Sequence, residues 1–123
     1  METGNKITIL IVDDEKTAHQ LYKIMLQPEG YTLLHAENGQ EAVDIFRKNP
    51  DIKLILMDIK MPVMDGYEAT RQIRKIDDAI PVVAQTAYSL PADKKLAIEA
   101  GCTGHLAKPV SRKMLTDTIQ KYT

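Results

Sequence analysis

The sequence predicts an α/β domain, a doubly wound five-stranded parallel sheet flanked by five helices. Three observations carry the prediction. Short apolar runs rich in β-branched residues alternate strictly with longer segments whose apolar residues recur at helical spacing. The linkers between them are short, which calls for parallel strands joined by right-handed helical crossovers. With 123 residues, the chain is close to the commonest single-domain size and long enough to bury such a sheet.

Taken in order, "ITILIV" (Ile7–Val12) is a β-branched run suited to a strand buried on both faces. "KTAHQLYKIML" places Ala18, Leu21, Tyr22 and Met25 on one helical face and ends near Pro28-Glu29-Gly30. "YTLLHA" is the second strand, Asn38-Gly39 a turn, and "QEAVDIFRK" the second helix. "IKLILM" and "GYEATRQIRKI" supply the third strand and helix, joined by "MPVMDG", where Pro62 fixes the path and Gly66 permits a tight turn. "IPVVAQ" and "PADKKLAIEA" follow, the latter stopped by Gly101. "GHLAK" is a short fifth strand, and "SRKMLTDTIQKY" is a last helix capped by Ser111. With no repeat or linker in view, residues 1–123 are expected to form a single domain.

Composition narrows the function. At 44% hydrophobic and 27% charged, this is an ordinary globular composition. Sixteen basic against seventeen acidic residues leave a net charge of -1, which argues against a dedicated nucleic-acid surface. Cys102 is the only cysteine, so neither an intrachain disulfide nor a zinc cluster is expected. "METGNKITIL" lacks the apolar core of a signal peptide, and no stretch reaches membrane-spanning length. A cytoplasmic module, or a piece of a larger protein, is the expectation.

In a doubly wound parallel sheet, ligands bind beyond the carboxyl ends of the strands. The first strand is followed by Asp13-Asp14-Glu15, the third by Asp58, the fourth by Thr86, and the fifth ends at Lys108-Pro109. Three carboxylates, a hydroxyl and an ammonium group therefore gather at one edge. Carboxylates so packed repel and raise one another's pKa. Lys108 offsets part of this, and Mg²⁺ or Mn²⁺, hard cations that take oxygen ligands, would offset the rest and make the edge receptive to a phosphoryl group. Each signal also has a plainer reading: Asp13 and Asp14 as helix caps, Asp58 as a turn residue, Thr86 as a loop hydroxyl, Lys108 as a solvated charge. The joint pattern is what points to a site.

The segments "ILIVDDE", "LILMDIKMPVMDGYEATRQIR", "PVVAQTAY" and "GCTGHLAKPV" resemble the receiver (response-regulator) domain of two-component signal transduction over essentially the whole chain. The resemblance implies a flavodoxin-like receiver fold with strand order 2-1-3-4-5. It implies Asp58 as phosphoacceptor, with Asp13, Asp14, Asp58 and the Lys60 backbone carbonyl around the metal, Asp13 acting mainly through water. Thr86 and Lys108 would each meet a phosphoryl oxygen, and the Lys108-Pro109 peptide is expected to be cis. The donor would be a phosphohistidine on a histidine kinase or histidine phosphotransfer domain, or a small donor such as acetyl phosphate. Water would later remove the group. Such a domain is not a conventional turnover enzyme; its output is a conformation, read by an effector or output domain or by a phosphorylation-dependent dimer. The runs "MDIKMPVMDGYEATRQIR" and "TAY" are most similar to receivers of hybrid histidine kinases, with stand-alone and trimmed regulators as alternatives.

Two positions depart from the family pattern. Three residues before Lys108, where a tyrosine or phenylalanine commonly acts as a switch with the threonine, stands His105, read equally as a switch or as an exposed surface histidine. Lys60 and Tyr88, two residues beyond Asp58 and Thr86, occupy positions associated in the family with phosphoryl lifetime. Met57, Met61 and Met64 read as packing and "RQIRK" as a solvated helix face. His19 and His35 show no metal-ligand spacing.

Two rival functions share parts of this pattern. A haloacid dehalogenase-type phosphatase or phosphotransferase also uses a strand-terminal Asp, but needs a second Asp where this chain has Lys60. A flavodoxin-like cofactor binder needs a phosphate-cradling loop after the first strand, where "VDDE" would repel the phosphate.

Overall fold

The structure is a computed structural model that describes residues 7–86, 91–108 and 110–123; Tyr88 and the Lys108-Pro109 peptide lie outside the described residues. The elements are β1 (Thr8–Val12), α1 (Lys16–Leu26), β2 (Thr32–Ala36), α2 (Gly39–Lys48), β3 (Leu54–Asp58), α3 (Gly66–Ile76), β4 (Val82–Thr86), α4 (Pro91–Ala100), β5 (Gly104–Ala107) and α5 (Arg112–Tyr122). A 3-10 turn over Gln27–Glu29 follows α1 and ends in Gly30, whose φ of 90° supplies the left-handed residue that stops it. All strand pairs are parallel, in the order β2-β1-β3-β4-β5.

Alternation along the strands builds two cores. On one face, Ile9, Ile11, Leu54, Leu56 and Val83 pack with Tyr22, Met25 and Leu26 of α1 and Leu115 and Ile119 of α5. On the other, Leu10, Val12, Ile55, Met57 and Val82 meet Val43 and Phe46 of α2 and Ala69 and Ile73 of α3. Each fully buried aliphatic side chain contributes roughly 1.5–3 kcal/mol. The central strand β3 is buried at all five positions, Asp58 included.

Local chemistry explains the helix starts. Asn38, Asp65 and Ser111 each accept a backbone N–H three residues on, at 2.9, 2.9 and 3.1 Å. Asn38-Gly39 is therefore a cap plus the first residue of α2, not a separate turn.

Gly66 likewise differs from expectation. It opens α3 at an ordinary φ, and what it supplies is space: a Cβ there would lie 2.3 Å from the Asp58 carbonyl oxygen. The left-handed residue of this loop is instead Val63, at φ 69°. Met57 is fully buried and Met61 and Met64 pack against the same core, as read from the sequence. Arg74, by contrast, does not simply face solvent: its guanidinium donates to the carbonyls of Gly101 at 2.8 Å and Asp77 at 3.3 Å, and to the Thr103 hydroxyl at 3.1 Å.

Candidate phosphoacceptor site

Parallel strands aim their carboxyl ends the same way, so the residues after β1, β3, β4 and β5 share one edge. Asp13 follows β1, is 1% exposed, and donates its backbone N–H to the Ala36 carbonyl at 3.1 Å. Its Oδ1 accepts the Glu15 N–H at 3.0 Å, closing the turn into α1, while its Oδ2 accepts from Lys108 Nζ at 3.1 Å. The turn and charge-pairing roles thus use different oxygens of one carboxylate. Glu15, not Asp13 or Asp14, is the N-cap residue of α1, and it makes no side-chain cap bond.

Asp58 ends β3 at 7% exposure, and its Oδ1 lies 3.4 Å from Lys108 Nζ. Asp13, Asp14 and Asp58 each bring a carboxylate oxygen within 4.8 Å of the others, an all-oxygen set that fits a hard divalent cation. Without such a cation, burial pushes the Asp58 carboxyl up from 3.8 to about 6; Lys108 opposes the rise, and the charges of Asp13 and Asp14 add to it. Burial pulls the Lys108 ammonium down, but Asp13 and Asp58 outweigh it and hold it above its ordinary value.

Thr86 ends β4 at 7% exposure, and its carbonyl accepts the Lys108 backbone N–H at 2.9 Å. Thr86, Lys60 and Asp14 line one cleft of about 550 Å³ with Met61, Pro62 and Tyr67. The structure therefore gathers the carboxylates of Asp13, Asp14 and Asp58 within 4.8 Å, pairs Lys108 with Asp13 and Asp58, and sets Thr86 and Lys60 on the cleft that Asp14 also lines. His105 pairs in register with Ala84, is half-buried rather than surface-exposed, and its Nε2 is buried without a hydrogen-bond partner among the described residues. It lines a cleft of about 300 Å³ with Lys94, Ala97 and Tyr122.

Two polar pairs near this edge escaped the sequence reading. Tyr22, 5% exposed, donates its hydroxyl to Oε1 of Gln85, 2% exposed. Burial pushes that hydroxyl up to about 12, so it stays a donor. The signal was a glutamine inside the otherwise apolar run "VVAQ". His19 and His35 approach Nδ1 to Nδ1 at 2.7 Å, and His19 Nε2 lies 2.7 Å from the Asp13 carbonyl oxygen.

Residues 9–120 match the family model described as the response regulator receiver domain. The chain belongs to the receiver-domain family. It is 34% identical over 118 residues to the polar-differentiation response regulator DivK of Brucella anthropi, covering 94% of each chain. The receiver domain of the Pseudomonas aeruginosa sensor histidine kinase PA1611, crystallised with a magnesium ion in its active-site cleft, superposes with a TM-score of 0.88 at 33% identity, covering 96% of this chain and 98% of that one. The receiver domain of Saccharomyces cerevisiae Ssk1, solved with the histidine phosphotransfer protein Ypd1, does so with a TM-score of 0.89 at 32% identity, covering 95% and 88%. This receiver has the expected 2-1-3-4-5 fold and belongs to a signalling family, and the haloacid dehalogenase reading finds no support in these matches. Among the described residues, no helix is long and apolar enough to cross a membrane.

Proposed function

We propose that Asp58 is the residue on which this receiver domain takes its phosphoryl group, from a phosphohistidine of a histidine kinase or phosphotransfer protein. The observation that carries the reading is a nearly buried carboxylate 3.4 Å from a lysine ammonium and within 4.8 Å of two further acids. A carboxylate oxygen of Asp58 attacks phosphorus, the phosphorus–nitrogen bond to the donor imidazole breaks, and the imidazole leaves with its electron pair and takes a proton. Lys108 neutralises charge on the group in transfer, Thr86 donates its hydroxyl to another phosphoryl oxygen, and β3 holds Asp58 rigid.

Mg²⁺ or Mn²⁺ would be held by Asp13, Asp14, Asp58 and the Lys60 carbonyl, and when bound it supplies positive charge against the phosphoryl oxygens. The acidic set and the magnesium-bound PA1611 receiver support this assignment. The Ssk1–Ypd1 complex supports a phosphotransfer protein as donor. We read 1–123 as one cytoplasmic receiver domain that acts only on itself and signals through conformation to an effector, an output domain or a second copy. Thr86 and His105 would carry that change, and Lys60 and Tyr88 would tune its lifetime.

Intact-mass measurement after incubation with acetyl phosphate and Mg²⁺ tests the proposal. One added phosphoryl group in the wild type, absent in Asp58→Asn, is expected. No gain from acetyl phosphate or from a phosphorylated phosphotransfer protein overturns it.

A further inference from the structure

The buried Tyr22–Gln85 pair lies where an apolar pair would serve the fold. Its surroundings on this sheet face are Leu54, Leu56, Val83, Leu106 and Leu115. Placing a phenol and an amide there costs desolvation that one hydrogen bond only partly offsets. The Gln85 amide Nε2 has no hydrogen-bond partner among the described residues, so a donor is left over in the protein interior.

The residue that carries this donor is the strand neighbour of the reactive carboxylate. Gln85 and Asp58 are register partners in the β3–β4 ladder, and the Ile59 N–H donates to the Gln85 carbonyl at 3.3 Å. Paired residues of adjacent parallel strands project from the same sheet face about 4.8 Å apart, which makes Gln85 the lateral neighbour of Asp58. Tyr22 also lines a cleft of about 270 Å³ with Lys108, Leu21 and Val110. Tyr22 therefore touches the amide that flanks Asp58 and shares a wall with the lysine that pairs with it.

We propose that Tyr22 and Gln85 are positioning residues for phosphoryl transfer: Tyr22 holds the Gln85 amide, whose N–H group, unpaired at rest, takes up the Asp58 carboxylate as the Lys108 ammonium shifts to the arriving phosphoryl group. Lys108 bridges Asp13 at 3.1 Å and Asp58 at 3.4 Å, and it cannot hold both while serving an incoming phosphoryl oxygen. A neutral donor beside Asp58 keeps that carboxylate oriented without competing for the added charge. The inference rests on Asp58 being the acceptor.

The test compares Tyr22→Phe, Gln85→Leu and the double variant, following autophosphorylation by acetyl phosphate and Mg²⁺ at a temperature where each is fully folded by circular dichroism. Each single variant leaves a buried polar group unpaired and lowers the urea midpoint, whereas the double variant removes both groups and restores it. The double variant is expected to stay about tenfold slower at saturating donor, with an unchanged half-saturating donor concentration. Phosphorylation of the double variant at the wild-type rate overturns the positioning role. A wild type that takes no phosphoryl group at all overturns the acceptor assignment instead, and the pair's role falls with it.

Discussion

Lys108 Nζ stands 3.1 Å from Asp13 and 3.4 Å from Asp58, one ammonium group bridging two nearly buried carboxylates, one just after strand β1 and the other at the end of β3. Its side chain is 27% exposed against 1% for Asp13 and 10% for Asp58, so the charge needed for compensation enters from the solvent side. Replacing it by alanine leaves both acids uncompensated. Lys108→Ala is expected to lower the rate of Asp58 phosphorylation about 10²-fold, the usual scale for losing one electrostatic stabiliser of a transition state. Time-resolved intact mass with acetyl phosphate reads this directly.

The Asp58 carboxyl gives a pH-dependent stability of definite sign. Its folded value, about 6, lies above the ordinary 3.8, so the folded chain holds this proton more tightly than the unfolded chain does. The group costs nothing extra below about pH 4, where both states are protonated, and it destabilises the fold progressively as pH rises towards 6. Asp58→Asn should therefore stabilise the metal-free protein at pH 7 by roughly 1–3 kcal/mol, with the gain vanishing near pH 4. Urea unfolding in EDTA across that range measures it, and a pH-independent gain would contradict the burial argument.

Metal binding must compete with the same proton. Below about pH 6 a divalent cation has to displace it from Asp58, so apparent Mg²⁺ affinity is expected to fall about tenfold per pH unit there. Calorimetric titration at pH 7.5, 6 and 5 follows the trend. Stripping Mg²⁺ at pH 7.5 should lower the melting temperature, and at pH 5 it should change it little.

Among the described glycines, Gly66 makes the closest approach to Asp58. A methyl group on its Cα would lie 2.3 Å from the Asp58 carbonyl and 2.9 Å from Ile59 Cα, neither of which can rotate away. Gly66→Ala is expected to cost roughly 1–3 kcal/mol and to slow phosphorylation by displacing Asp58. Gly30, where a Cβ meets nothing within 4 Å, tests conformation alone, and Gly30→Ala should lower stability without changing the rate.

The fold was legible because β1, β3 and β4 are buried on both faces and therefore written in unbroken apolar runs, while the helices between them are amphipathic. Strand limits slipped where pairing rather than composition decides them. Ile52 and Lys53 precede β3, and Asp58 is drawn into it by its pairing with Gln85. The acids were legible because the end of a strand is a position that can be counted. What resisted reading were contacts between distant segments, since neither Tyr22 with Gln85, 63 residues apart, nor Arg74 with Gly101 leaves a local pattern. What Gly66 supplies does not show in its own segment, because the crowding comes from the end of β3.

The His19–His35 contact has a spectroscopic consequence. A carbonyl oxygen can only accept, so the His19 Nε2 bound to the Asp13 carbonyl carries a proton. With both rings neutral, His19 Nδ1 must then accept from His35 Nδ1–H, leaving Nε2 of His35 as the bare nitrogen. Burial, aided by the charges of His19 and Lys23, holds His35 below its ordinary pKa and favours its neutral ring. In that neutral pairing the two imidazoles take opposite tautomers, set by a single peptide oxygen. Nitrogen-15 shifts of the His35 ring would report, at a distance and without a label on the acids, any movement of the Asp13 backbone.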